Sequence, residues 1–233
     1  MRLDKFLCEM NVGTRSQVKA FIKQGQVTVN GSPASGPEQK IDEARDRVCF
    51  QGKAVGYEKF TYFMLNKPAG VVSATRDNTA RTVTELLKQE DRRPDLFPVG
   101  RLDKDTEGLL LLTNDGELAH RLLAPKRHVD KTYLVSPEHE LEPEDILRLE
   151  EGVDIGEGRF TLPAVVQRLE DGRILLTIHE GKFHQVKRML LAVNNRVTSL
   201  KRVSFGGLRL DEGLKPGEYR KLTRDEVEIL HEA

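Results

Sequence analysis

The sequence lacks tryptophan, has only two cysteines, and contains neither a P-loop nor a GxGxxG pattern. Cys8 and Cys49 have no CxxC partner, so we expect neither a disulfide scaffold nor a structural zinc site. The histidines are scattered, and His179 and His184 lie five residues apart, which is not the i, i+4 spacing of a helical metal site. We therefore expect no metal, nucleotide or organic cofactor.

Long apolar runs are also missing. No stretch approaches the roughly 20 apolar residues that a bilayer-spanning helix needs. The chain begins Met-Arg-Leu-Asp-Lys, which is charged where a secretory signal would become apolar. We expect a cytoplasmic protein without a membrane partner. Since no coiled-coil or swapped element is evident, we expect a monomer.

The chain has no net charge, but its charges are segregated. Residues 138–158 hold nine acids and one base, whereas residues 181–209 hold seven bases and no acid. Such segregation allows a neutral protein to present one strongly positive face to nucleic acid. Two solvated faces that attract each other explain the same pattern, and charge alone does not decide between these readings.

The first 50 or so residues have the pattern of a small separate unit. A capping-box sequence from Thr14 to Gln17 and a glycine at position 25 predict a helix over about residues 15–24. A short strand at 27–29 should follow, turning at Asn30-Gly31. Three bases share one face of this helix and two more precede it; they are Arg15, Lys19 and Lys23, with Arg2 and Lys5. The pattern indicates either an RNA-binding surface or an ordinary exposed helix.

The remainder predicts an α+β catalytic domain with a mainly antiparallel, mixed β-sheet and flanking helices. Short β-branched or apolar runs and capped helical segments do not alternate strictly, which argues against a doubly wound fold. We place the domain boundary between residues 56 and 57, giving domains 1–56 and 57–233. The expected strands lie at 62–65, 109–113, 132–135, 164–168, 174–179 and 198–203, and the expected helices at 82–88, 117–123, 142–150 and 185–193, with a last helix capped by Thr223 and Glu226.

One polar loop precedes a run of four leucines and holds two carboxylates, Asp103 and Asp105. Loops beside buried strands are common locations for active residues. The two carboxylates could serve acid–base chemistry, bind a metal, or simply cap the loop. Their spacing does not distinguish these possibilities.

Several segments resemble known families. Residues 2–7, Thr14-Arg15-Ser16 and residues 25–31 resemble the alpha-L RNA-binding domain, which implies a small N-terminal α/β RNA-binding domain. Four further segments resemble the RsuA branch of the pseudouridine synthases, which act on small-subunit ribosomal RNA. These are Asn66-Lys67-Pro68-Ala69-Gly70, residues 100–116, Lys131-Thr132-Tyr133 and residues 180–189.

The second resemblance implies roles for individual residues. By this resemblance, Asp103 is the catalytic carboxylate and Tyr133 is the ring that stacks on the target uracil. Lys187 is the cation beside Asp103, with Arg188 as the alternative. Substrate binding is assigned to Arg101, Ile178, Arg188 and Lys67.

The function implied is conversion of a specific uridine to pseudouridine in small-subunit (16S) ribosomal RNA, free or within a small-subunit assembly intermediate. Base flipping would bring the uridine to Asp103. Alternatives are a pseudouridine synthase for large-subunit RNA and a non-catalytic RNA-binding protein of ribosome assembly. A glycosidase using Asp103 and Asp105 would leave the basic N-terminal unit and the Lys187 segment unexplained.

Overall fold

Two units account for the chain in the computed structural model, which describes residues 1–156 and 158–233. The first contains Met1–Phe60 together with Leu87–Leu96, and the second contains Thr61–Leu86 and Phe97–Ala233. Inclusion of Leu87–Leu96 in the first unit is not anticipated by the sequence. The domain boundary between residues 56 and 57 stays a prediction. No helix among the described residues is long and apolar enough to cross a membrane.

The first unit packs two helices on a four-stranded antiparallel sheet of order β2-β1-β3-β4. Its elements are α1 (Leu3–Glu9), α2 (Arg15–Lys23), β1 (Val27–Val29), β2 (Ser32–Pro33), β3 (Val48–Phe50), β4 (Lys53–Ala54) and a 3-10 turn at Gln89–Asp91.

Local sequence signals set the ends of α2 and the first hairpin. Thr14 and Gln17 form the expected capping box, and Gly25 has φ +71° just beyond the helix. Asn30 and Gly31 have φ +53° and +84°, so both occupy the left-handed region that a two-residue hairpin loop needs. The predicted helix, strand and turn are therefore confirmed.

The second unit is built on a nine-stranded mixed sheet with main order β13-β5-β7-β11-β8-β10-β9, in which β6 also pairs with β7 and β12 with β11. Its strands are β5 (Tyr62–Lys67), β6 (Phe97–Pro98), β7 (Glu107–Thr113), β8 (Lys131–Pro137), β9 (Val165–Arg168), β10 (Ile174–Ile178), β11 (Val197–Phe205), β12 (Leu208–Arg209) and β13 (Tyr219–Lys221). Its helices are α3 (Gly116–Leu123), α4 (Pro143–Glu151), α5 (Gln185–Ala192) and α6 (Arg224–Glu232), with 3-10 turns at Val83–Leu86 and Pro125–Arg127.

This topology confirms the predicted α+β class. Each strand pair is antiparallel except β7 with β11. The helix predicted at about 82–88 is wrong: only a four-residue 3-10 turn forms there. The hydroxyl of Thr84 donates to the carbonyl of Thr75, and the amide of Thr82 donates to Glu85, so local bonds favour a turn over a continued helix.

The four-leucine strand β7 forms the centre of the second unit. Residues 109–112 are completely buried, which explains an unbroken apolar run in place of alternation. On one face, Leu109 and Leu111 pack with apolar side chains of α3 and α6. β7 therefore fixes the position of the polar loop that precedes it.

Gly108 allows β7 and β11 to approach closely. It pairs with Arg202 in the parallel register and has φ +101°. A Cβ atom at this position would lie 2.2 Å from the carbonyl oxygen of Arg202, far inside van der Waals contact. Only glycine fits here without moving a strand.

Replacing Gly108 with alanine should lower the free energy of unfolding of the second unit by at least about 3 kcal/mol, because backbone strain and a steric clash combine. The matched control is Gly172→Ala, whose φ of +81° is also positive but whose new Cβ would have no heavy atom within 4 Å. Urea unfolding followed by circular dichroism measures both. Equal losses in the two variants would show that the strands separate at no cost.

Candidate active site

The loop that carries Asp103 is held by a serine on a neighbouring segment. The hydroxyl of Ser73 accepts the amide hydrogen of Leu102 at 3.0 Å and donates to the Leu102 carbonyl at 2.9 Å. The amide of Thr106 donates to the Asp103 carbonyl at 3.1 Å, which closes a turn. These bonds fix the backbone on both sides of the Asp103 carboxylate.

Lys67 secures the same loop from inside the protein. It is fully buried at the end of β5, and its ammonium donates to the carbonyl oxygens of Asp103 (3.0 Å), Thr106 (2.8 Å), Lys104 (3.3 Å) and Pro68 (3.1 Å). Burial lowers the pKa of Lys67 to about 8, so the ammonium is still charged at neutral pH. The substrate-binding role predicted for Lys67 needs correction, because its donors are committed to the backbone and none faces the cleft.

Lys187 on α5 lies between the two loop carboxylates. Its Nζ is 3.0 Å from Oδ2 of Asp103 and 2.6 Å from Oδ1 of Asp105. Burial by itself lowers the pKa of Lys187, but hydrogen bonds to Asp105 and Asp103 outweigh it and the pKa is raised. The hydrogen bond from Lys187 lowers the pKa of Asp105. The ammonium thus provides a fixed positive charge beside Asp103.

Arg188 takes a different direction from its neighbour. The Arg188 guanidinium lies beside Gly156. A Cβ atom added at Gly156 would be 3.1 Å from Nη2 of Arg188. Adjacent helical residues point about 100° apart, so only one of the two can face the loop. Of the two cations that the sequence left open, the structure brings Lys187, and not Arg188, to Asp103.

His184 completes the polar cluster and is a residue that the sequence reasoning missed. Its Nε2 lies 3.6 Å from Oδ1 of Asp103. The residue precedes α5 with φ +50°, a left-handed conformation. The available signal was its place in the segment 180–189, three residues before Lys187.

A small cleft of about 80 Å³ opens beside this cluster. Tyr133 of β8 and Ile178 of β10 line it, and both are almost fully buried, while Arg101 on the loop is exposed. β8 and β10 pair with Tyr133 opposite Leu176, so the buried side chains of the two strands share one sheet face. The structure thus brings Asp103, Lys187, Tyr133, Ile178 and Arg101 to one cleft.

A buried cation lies next to Tyr133 on the adjacent strand. Arg202 pairs with Tyr133 between β11 and β8, is 3% exposed, and donates from Nε to the Leu109 carbonyl at 2.8 Å. Its guanidinium lies 4.8 Å from the ring centroid of Phe205, a cation–π contact. Burial lowers the pKa of Arg202, and the interaction with Tyr133 acts in the opposite direction. In the sequence, Arg202 is recognisable only as one of the seven bases of residues 181–209.

The cations expected to bind RNA in the first unit fall into two groups. Arg2 is engaged by Asp4 at 2.8 Å and Glu38 at 3.2 Å, and Lys5 pairs with Glu9 at 3.6 Å. The remaining three are exposed on α2, and none forms an ion pair within the described part of the chain; they are Arg15, Lys19 and Lys23. The basic face of α2 is therefore open to an anionic partner.

A carboxylate lies beside a lysine, a buried tyrosine lines the same cleft, and a separate unit carries a basic helix and a hairpin, an arrangement that suits an enzyme that modifies RNA. A family model described as RNA pseudouridylate synthase matches residues 61–192, and an S4 domain model matches residues 1–48. The chain therefore belongs to the RNA pseudouridylate synthase family, and the enzyme is an isomerase. Both resemblances drawn from the sequence are confirmed.

Similar proteins match over nearly the full chain. An uncharacterized RNA pseudouridine synthase of Bacillus subtilis is 50% identical, with 100% of this chain and 99% of the relative covered. The ribosomal small subunit pseudouridine synthase A of Vibrio cholerae is 41% identical, with 97% and 98% covered. A crystal structure of a pseudouridylate synthase has a TM-score of 0.70 and 40% identity, with 99% of each chain covered.

Replacing Lys67 with methionine should lower the free energy of unfolding by at least about 2 kcal/mol, because several buried carbonyls lose their donor and each costs roughly 1–3 kcal/mol. Lys104→Met is the control, since Lys104 belongs to the same loop but its side chain is exposed. Urea denaturation of both variants measures the difference. Unchanged stability of the Lys67 variant would mean that the loop does not depend on the ammonium.

Proposed function

We propose that this enzyme converts one uridine of small-subunit ribosomal RNA to pseudouridine and that Asp103 is its catalytic carboxylate. The observation that carries the proposal is the position of Asp103, 3.0 Å from the Lys187 ammonium at a cleft lined by Tyr133 and Ile178. The Lys187 ammonium at this distance offsets the negative charge of the carboxylate in a partly enclosed site. The side chain of Asp103 is 30% exposed and thus remains accessible to a ribose or a base.

The reaction is an isomerisation that needs no oxidant or co-reactant. The N1–C1′ bond of uridine breaks, the uracil rotates, and a C5–C1′ bond forms while the hydrogen at C5 is lost and N1 gains one. An ionised carboxylate can attack during this step or stabilise positive charge that develops on the ribose. We assign that task to Asp103, and we assign to Lys187 the task of orienting the Asp103 carboxylate and balancing its charge until the base is bound.

The remaining cleft residues fit a flipped base. Ligand pockets usually enclose about 300–1,000 Å³, whereas this cleft is about 80 Å³, so it encloses only part of the substrate. We infer that the uracil enters alone and stacks on Tyr133, with Ile178 as an apolar wall. Stacking of a base on an aromatic ring contributes about 1–3 kcal/mol, which offsets part of the cost of flipping. The ribose and phosphates stay outside, near Arg101.

The choice of RNA rests on the relatives. Full-length similarity to proteins named for the small ribosomal subunit supports that substrate over large-subunit RNA. The proposal includes a cytoplasmic monomer that acts on a small-subunit assembly intermediate, and it takes the boundary between residues 56 and 57 as the division between RNA binding and catalysis. An intact Asp103–Lys187 pair favours an enzyme over a non-catalytic assembly protein.

Mapping pseudouridines in ribosomal RNA from cells with and without this gene identifies the substrate. One small-subunit site that disappears with the gene supports the proposal. A missing large-subunit site would reassign the substrate. An unchanged map of both RNAs would contradict a ribosomal target.

Replacing Asp103 with asparagine should reduce product formation at least about 1,000-fold while RNA binding changes little, because the amide keeps the shape and loses the charge. Asp105→Asn is the matched control: it contacts the same Lys187 ammonium, but its side chain is 72% exposed, and we expect a loss of about tenfold or less. Release of tritium from RNA labelled at C5 of uridine measures both. A fully active Asp103 variant would refute the assigned role.

Changing Arg15, Lys19 and Lys23 together to alanine should weaken RNA binding and reduce its dependence on salt, because fewer counterions are released when fewer phosphates are neutralised. A triple alanine variant at Arg45, Arg173 and Arg224 makes the same change in net charge away from α2. Filter binding at several salt concentrations distinguishes the two. An equal loss in both triple variants would mean that only overall charge matters.

A further inference from the structure

A large aromatic ring stands in solvent at the edge of the cleft. The cleft is lined by the residues on both sides of Phe183, namely Lys182 and His184, and Phe183 itself is not part of the lining. Phe183 is 71% exposed, the highest value among the exposed large hydrophobic side chains of the described residues. An exposed ring beside a polar site offers a flat apolar face on which a base can stack.

One face of the Phe183 ring packs against His184, which lies beside Asp103. The rings of Phe183 and His184 have centroids 3.8 Å apart and an angle of 20° between their planes, and Nε2 of His184 is 3.6 Å from Asp103. A base stacked on the open face of Phe183 would therefore lie next to the site where the target uridine reacts.

The segment that carries Phe183 is already ordered. The Glu180 carboxylate accepts from the amide of Leu162 at 3.0 Å and from Nε2 of Gln185 at 2.9 Å, and it pairs with Lys182 at 2.8 Å. Lys182 also donates from Nζ to the carbonyl of Phe160 at 2.6 Å. A ring fixed in this way loses little conformational entropy when a ligand stacks on it.

We propose that Phe183 is a stacking platform for the nucleobase adjacent to the target uridine, an inference that rests on the proposed function. The acids nearest this segment are paired with its lysines: Glu180 with Lys182, and Asp103 with Lys187. Stacking on one ring accepts any base, so Phe183 contributes affinity and holds the strand open next to the flipped uridine. It is thus a substrate-positioning residue distinct from the ring of Tyr133.

The test is a double-mutant cycle between Phe183→Ala and RNA that lacks one base. The substrate is a small-subunit ribosomal RNA, or the particle reconstituted from it, with a ligated synthetic segment spanning the mapped uridine. An abasic residue replaces the nucleotide on the 5′ side or on the 3′ side of that uridine. With intact RNA, Phe183→Ala should lower kcat/KM about 5- to 150-fold. With one of the two abasic RNAs, the same substitution should have less than about twofold effect.

Two further variants separate stacking from a structural role. Phe183→Trp should restore kcat/KM, because a larger ring stacks at least as well. Leu191→Ala truncates another exposed apolar side chain, on α5, and should leave kcat/KM unchanged. Equal losses from Phe183→Ala on intact RNA and on both abasic RNAs would overturn the proposal and indicate an effect through His184. If the wild-type enzyme modifies none of these RNAs, the proposed function fails, and this result is distinct from a failed cycle.

Discussion

The buried Lys67 ammonium is the interaction on which the site depends most. It binds carbonyls on both sides of the Asp103 turn, so the loop takes its shape from a charge located inside the protein. Placing this charge in the interior is costly, and the several carbonyl acceptors offset that cost. The Asp103 carboxylate is left to face the cleft, where its charge is neutralised by a second lysine from a distant segment.

The arrangement of the sheet brings that second lysine within reach. β7 follows the loop directly, and β11 follows α5, and the two strands run parallel at Gly108 and Arg202. Close approach at Gly108 therefore places the start of β7 beside the part of the chain that carries Lys187. The close approach of β7 and β11 requires glycine at position 108, although this residue contacts neither Asp103 nor Lys187 in the ion pair.

The proposed function divides RNA recognition among separate surfaces. Tyr133 and Ile178 line the cleft, Phe183 offers an exposed ring next to it, and α2 of the first unit carries cations without ion pairs in the described chain. Phosphate contacts contribute affinity that depends on salt, whereas stacking depends on shape. Each surface can therefore be altered separately by mutation.

Local signals in the sequence were sufficient for α2, the Asn30-Gly31 turn, β1 and six strands of the second unit, because caps, turn residues and apolar runs act within a few residues. The motifs were sufficient for the family, and they marked Asp103 as the residue to examine. Only the tertiary structure decided which way side chains point. It directed Lys67 inward, turned Lys187 and not Arg188 toward Asp103, and brought His184 beside them. These outcomes depend on packing between distant segments of the chain. Asp105 and Lys187, for example, are 82 residues apart, and no local pattern encodes such a contact.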